Sequence, residues 1–180
     1  DLLIEQAKTR IIVENIARID KCLNMLTLDQ VWHRIHSQTN PIGNLILHLE
    51  GNARQWILSS FSNASDHRVR QQEFDQTEKI SIEDLKQRLQ KLASDLNECF
   101  DSITEQALLD NYEVQCFREA GIGIIVHVIE HFSYHTGQIA YLTKWMTEKE
   151  VQELKDAFKL KGQKKKKELE LSDEEFDWEN

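Results

Sequence analysis

Residues 121–146 read GIGIIVHVIEHFSYHTGQIAYLTKWM, and this run decides the fold class. Ile122, Ile125, Val128, Ile129, Phe132, Ile139, Leu142 and Trp145 recur at helical spacing, which predicts an apolar helix from about 119 to 147. Working back along the chain, Ser81 with Asp84 forms a capping box, and Leu85, Leu89, Leu92, Leu96, Cys99 and Ile103 step by fours and threes behind it. That pattern predicts a helix over 82–104. Asn40 followed by Pro41 reads as an N-cap with proline at the first helical position, and Leu45, His48, Leu49, Asn52 and Trp56 continue at helical spacing to about 61. Ile12, Ile16, Ile19, Leu23 and Leu26 lay one stripe along a first helix over about 1–26.

The connections carry signals of their own. Thr27 and Gln30 form a capping box that opens a short turn through Val31 and Trp32, with Trp32 expected to plug one end of the core. Residues 62–80 lose periodicity and gain Ser65, Asp66, Arg68, Arg70 and Glu73, which reads as a long crossover loop; such a loop lets neighbouring helices run parallel. Between 109 and 117, Tyr112, Val114, Cys116 and Phe117 alternate with polar residues, the pattern of a short strand or hairpin. The expected domain is therefore all-α, a four-helix bundle over 1–150, followed by a charged extension over 151–180. In that extension Lys164 to Lys167 precede an acidic end bearing Phe176 and Trp178. It reads as a solvated segment, a short linear motif or an extended helix.

Composition agrees with long helices. The 180 residues include one proline and six glycines, too few turn formers for a sandwich or barrel. The net charge of −9, from 22 basic and 31 acidic residues, lacks the phosphate-neutralising surface of a nucleic-acid binder. Cys22, Cys99 and Cys116 are odd in number, far apart and without CxxC spacing, so no disulfide framework or zinc-thiolate site is expected. The uncharged stretch from Gly121 to Ile129 is far short of the roughly 20 residues that span a bilayer, and the N-terminus shows no basic, apolar and small-residue progression. The expectation is an unexported cytoplasmic protein without nucleic-acid or membrane partners, able to self-associate as a homodimer through helix faces. Asp1 is read as following an initiator residue that was removed or is not included.

The chemistry-bearing residues are histidines. His127, His131 and His135 stand at i, i+4 and i+8, and four residues turn a helix by about 400°, so all three share one face. Two neutral imidazoles one turn apart can bind one transition metal. A histidine on an apolar face is more often a hydrogen-bonded core residue, but His48 lies mid-helix between Leu45 and Leu49, where an unpaired imidazole is costly to bury. By spacing alone, His127 is an equal candidate to His131 or His135. His33, His36 and His67 fall near helix ends or in loops and are expected to be solvated. Gly137 inside a helix costs about 1 kcal/mol relative to alanine, for which close approach of another helix is the expected reason. No Ser-His-Asp elbow, P-loop or GxGxxG competes with the histidines.

The stretch Asn40-Pro41-Ile42-Gly43 leading to Leu47-His48-Leu49 and Asn52, and the stretch Glu130-His131-Phe132-Ser133-Tyr134-His135-Thr136-Gly137-Gln138, resemble the DinB/YfiT-like superfamily of metal-dependent proteins. The resemblance covers about residues 1–148. Residues 68–74 are also similar to a basic-then-Glu-Phe stretch in one branch of that superfamily. The resemblance implies an up-down-down-up bundle holding one divalent transition metal, zinc or nickel foremost with iron, manganese and cobalt as alternatives, on three histidines matching His48, His131 and His135. The chain departs from the family pattern at Glu130, often Asn there, and at Tyr134, often a second histidine. In that pattern His127 lies one turn before the ligand pair, which assigns it to packing or a hydrogen bond near the site. Asn44, Asn52, Trp56 and Gln138 are the remaining pocket candidates, Gln138 as a group orienting a metal water. Three nitrogens leave open positions on a metal, and characterised relatives transfer or isomerise groups with small thiols, so the resemblance implies a thiol-dependent S-transferase or related enzyme. A metal-dependent hydrolase and a non-enzymatic metal-binding stress-response or interaction protein are the alternatives.

Overall fold

The computed structural model describes residues 2–62 and 64–173, with side chains described for 2–62, 64–148 and 159. Within these bounds the protein is mostly helical, with one two-stranded sheet. The chain divides into two units, Asp1–Thr143 and Lys144–Asn180. No helix among the described residues is long and apolar enough to cross a membrane.

The first unit opens with α1 (Leu2–Lys8), a π-helical stretch (Thr9–Ile16) and α2 (Ala17–Leu23). A π stretch widens the helix and frees carbonyls from the usual ladder; here the buried Asn15 amide donates to the Arg10 carbonyl at 2.8 Å. The widening also shifts the apolar stripe, so Ile11 rather than Ile12 is fully buried. The helix α3 (Leu28–Val31) is capped reciprocally: Thr27 N–H donates to Gln30 Oε1 at 2.8 Å and Gln30 N–H to Thr27 Oγ1 at 3.3 Å. Trp32 behind it is buried, and its indole N–H donates to the Ile80 carbonyl at 2.9 Å, which ties down the far end of the crossover.

The next helix, α4 (Ile42–Ala53), begins one residue later than the sequence suggests. Pro41 has ψ 157°, an extended conformation, and occupies the cap position itself, its carbonyl accepting from Leu45 N–H at 3.1 Å. A second π-helical stretch (Arg54–Leu58) and α5 (Ser59–Phe61) complete this segment. The crossover is not structureless: it contains α6 (Arg70–Asp75). Six residues without a side-chain cap would not hold as an isolated helix. Tertiary anchoring holds α6 instead, because the buried Asn44 amide donates to the carbonyls of Glu73 at 2.7 Å and Gln76 at 3.1 Å.

Ser81 caps α7 (Ile82–Ser102), accepting from Asp84 N–H and donating to its carboxylate. Leu85, Leu89, Leu92, Leu96 and Phe100 form its buried face. Thr104 then caps the short α8 (Glu105–Leu109), which the sequence reading leaves unassigned. The hairpin is present, β1 (Asn111–Val114) paired antiparallel with β2 (Phe117–Ala120), in register Val114↔Phe117. Gln115 in its two-residue turn takes φ 56°, and its amide donates to Gln55 Oε1 at 2.7 Å, fixing the hairpin tip to the helix that follows α4. The last helix, α9, runs Gly121–Asp173. Its buried stripe is Ile124, Ile125, Val128, Phe132 and Ile139, while Ile122 is 43% exposed. The stop expected near 147 is absent because lysine and glutamate favour helix and no proline interrupts them. Phe176 and Trp178 lie outside the described residues.

Candidate metal centre

Two helices bring three histidines into one small volume. His48 projects from α4, one turn after Asn44, and His131 and His135 project from one face of α9. The ring centroids lie 4.8 Å (His48 to His131), 5.1 Å (His48 to His135) and 4.5 Å (His131 to His135) apart. One ligating atom from each lies within 4.8 Å of the other two. His48 is buried and the other two are half-buried.

The ring nitrogens are already sorted into outward and inward sets. His48 Nδ1 is 2.8 Å from Glu73 Oε2, and His135 Nδ1 is 2.8 Å from Gln138 Oε1. Gln138 Oε1 is an acceptor, so the tautomer of His135 that satisfies it carries its proton on Nδ1 and leaves Nε2 as a bare lone pair. His48 Nδ1 faces both the Glu73 carboxylate and, at 3.1 Å, the Arg68 Nη2 donor, and the nearer carboxylate favours the same tautomer. This is the arrangement in which metal-ligating histidines are held by a carboxylate or carbonyl behind them. His131 Nε2 is buried with no hydrogen-bond partner, a state that costs about 1–3 kcal/mol unless something satisfies it. A cation facing three neutral imidazoles would do so, and the donor set fits a divalent transition metal with positions left open.

Glu73 enters from α6 and is the residue the sequence reading leaves in an open loop. Its carboxylate meets Arg68 as a two-pronged pair, Nε to Oε1 at 2.7 Å and Nη2 to Oε2 at 3.0 Å, the geometry for which guanidinium is suited. The side chains of Arg68, Glu73 and His48 are 7%, 11% and 6% exposed, so the trio is sheltered from water. Burial pushes the Glu73 carboxyl upward, but the hydrogen bonds from His48 and Arg68 outweigh it and hold the group below its ordinary value. Arg68 Nη1 also donates to Gln55 Oε1 at 2.9 Å, and Gln55 Nε2 to Asp66 at 2.7 Å. Gly51, one turn after His48, makes this possible: a Cβ there would collide with Glu73 Oε1 and press on Arg68. The only sequence signal for this arrangement was the Arg68 to Phe74 stretch, whose Phe74 ring packs 4.8 Å from that of His48.

The other named residues take varied places. His127 stacks on Trp56 with centroids 4.0 Å apart, and its Nε2 lies 3.3 Å from Asn52 Nδ2. An amide N–H can only donate, so that lone pair is engaged, and His127 is outside the three-histidine group. Asn44 does not face the site: its amide is spent on the α6 carbonyls. Gln138 engages His135 with the very oxygen that would otherwise hold a water. His33, His36 and His67 are exposed. Gly137 has nothing near the position of a Cβ, so no close helix approach explains it, and nothing in the structure does. Cys99 is no rival nucleophile, since burial pushes its thiol up to about 11 despite a hydrogen bond with Ser62.

Burial favours the neutral form of the three imidazoles on α9. Burial, then the neighbouring His135, His48, His127 and Arg68, push His131 down to about 3. Burial also lowers His135 and His127. Because the folded-state value of His131 lies below its ordinary 6.5, the unfolded chain binds the extra proton as pH falls, and the folded state loses ground between about pH 6.5 and 3. Metal-free protein should therefore lose about 2 kcal/mol from His131 alone between pH 7.5 and pH 5, with a further loss below pH 4.5 as Glu73 protonates. Urea unfolding at the two pH values checks this; a midpoint that is equal or higher at pH 5 would contradict it.

Two clefts flank the histidines. One, of about 490 Å³, is lined by His48, Asn52, Trp56, Phe117, His127 and His131 among others. The other, of about 530 Å³, lies on the side of Phe74, His135 and Tyr141. His48, His131 and Arg70 border both. Residues 3–157 match the sequence profile of a family described as a protein of unknown function, DUF1572. No curated protein matches the chain.

Proposed function

The chain belongs to the DUF1572 family, and from its own site we propose that it is a metal-dependent enzyme of small-thiol chemistry, an S-transferase or a close relative. The observation that carries this is the sorted histidine set: two Nδ1 positions tied to Glu73 and Gln138, and an unpartnered buried Nε2 on His131. We read the four long helical segments as an up-down-down-up bundle of the DinB/YfiT-like kind, with His48, His131 and His135 as the ligands of one divalent transition metal, zinc or nickel first. The cytoplasm is the compartment proposed for it.

When bound, such an ion supplies Lewis acidity that lowers the pKa of a coordinated water or thiol. The chain's own residues do the rest. Glu73 and Gln138 fix the tautomers of His48 and His135, so that both present a lone pair rather than a proton. Trp56 and His127, stacked together, with Phe117 at 6.3 Å from Trp56, form an aromatic wall of the 490 Å³ cleft, whose lining also includes Arg68, Arg70, Glu119 and Glu130. Its volume lies within the range of small-molecule sites. The Asn52 Oδ1 and Trp56 Nε1 atoms of two lining residues are buried without partners.

Titration of Co²⁺-loaded protein with cysteine, glutathione and bacillithiol tests the reading. A sulfur-to-metal charge-transfer band with at least one of them is the expected result. No band with any thiol at millimolar concentration would overturn the thiol chemistry and leave a hydrolytic or structural metal.

A further inference from the structure

The two clefts that flank the histidines differ in charge. The one behind His48, His131 and Trp56 includes the carboxylates of Glu119 and Glu130. The one on the side of Phe74, His135 and Tyr141 has no aspartate or glutamate in its lining, and its only permanently charged side chain is Arg70. In a chain with 31 acidic residues and a net charge of −9, this depression beside a candidate metal centre presents an anion with no carboxylate in its lining.

Arg70 is also uncommitted. Its neighbour Arg68 is consumed by Glu73 and Gln55, whereas Arg70 has no ion-pair partner among the described residues. Its guanidinium instead lies over the Phe74 ring, 5.0 Å from the centroid, and that ring lies 4.8 Å from the His48 ring. Stacking of this kind holds a guanidinium plane without using its N–H edge, which stays free for a carboxylate. The contacts of Arg70 with Phe74 and of Phe74 with His48 therefore place an exposed cation one ring away from His48.

We propose that this acid-free cleft receives the carboxylate of a small organic acid, with Arg70 as its counter-charge, while the other end of the same molecule reaches the open face of the three-histidine site. The ligand class is thus a compact carboxylic acid carrying a metal-binding donor a few bonds away. This rests on the reading that the three histidines hold a metal ion with an open position, but not on thiol chemistry. Arg70 acts here as a binding residue that sets which ligands are accepted.

The test uses a probe pair that needs only an open metal position: imidazole and imidazole-4-acetate, each titrated into Co²⁺-loaded full-length protein and followed by the cobalt visible bands. Imidazole-4-acetate should bind about ten-fold tighter than imidazole, as expected of a charge-assisted fork. Arg70→Gln should erase that preference, and Arg70→Lys should keep part of it, with cobalt content unchanged in both. Equal affinity of the two probes, or a preference that survives in Arg70→Gln, would overturn the proposal while leaving the metal reading intact. Failure of both probes to perturb the cobalt bands would overturn the open position itself, and the proposal with it.

Discussion

Replacing His48, His131 or His135 with alanine should each weaken binding of a divalent transition metal by roughly 100-fold or more, because the binding free energy of such sites is shared among few ligands. His127→Ala should leave most of the affinity in place. The contrast follows from geometry: the three ligating atoms lie within 4.8 Å of one another, whereas His127 Nε2 faces Asn52 and its ring is stacked on Trp56. Calorimetric titration of metal-free protein with Zn²⁺ checks all four variants side by side. Loss of affinity in His127→Ala equal to that in His131→Ala would show that the ligand pair on α9 is shifted by one turn. His131→Ala should remain folded, since removing its buried unpartnered nitrogen relieves a cost rather than creating one.

Glu73→Ala should damage both stability and metal binding. Arg68 and His48 would be left buried without their acceptor, a loss of about 3–5 kcal/mol for the charged partner. Removal of the group behind a ligating histidine lowers metal affinity by about 10–100-fold. Glu73→Gln separates the two effects, because an amide oxygen can still accept from His48 Nδ1 while the charge on Arg68 goes uncompensated; it should retain more metal affinity than Glu73→Ala. Gly51→Ala approaches the same contact from α4. Alanine is the better helix former by about 1 kcal/mol, so a plain helix effect would stabilise the protein. A Cβ at this position displaces Glu73, so destabilisation with weakened metal binding is expected instead. Urea unfolding and Zn²⁺ titration of the three variants give both readouts. Unchanged stability and affinity in Glu73→Ala would remove the crossover from the site.

What could be read in the sequence was whatever local chemistry enforces. Thr27 with Gln30 and Ser81 with Asp84 cap their helices as their spacing implies, because capping needs only neighbours three residues away. Leu85, Leu89, Leu92, Leu96 and Cys99 of the expected α7 stripe are buried, while Ile103 is the half-buried C-cap. Helical spacing marks His127, His131 and His135 as one face and the apolar setting of His48 marks a fourth candidate, but it is the family resemblance, not spacing, that selects His131 and His135 over His127. What escaped depends on contacts distant along the chain. No periodicity announces α6, whose order comes from Asn44 almost 30 residues earlier. Glu73 looked like one more polar residue in a loop, and Asn44 looked like a pocket residue when it is the anchor of that loop. The π-helical stretches shift burial from Ile12 to Ile11 because one widened turn moves every later residue round the helix, an effect that a fixed 3.6-residue period cannot represent.

The central claim is that His48, His131 and His135 together hold one metal ion, and X-ray absorption of zinc-loaded full-length protein tests it most directly. One zinc per chain is predicted, with three imidazole nitrogens at about 2.0–2.1 Å and the remaining shell filled by oxygen or added ligand, and with one imidazole fewer in His135→Ala. A first shell containing cysteine sulfur, fewer than three imidazoles in the unmodified protein, or no stoichiometric zinc at neutral pH would contradict it.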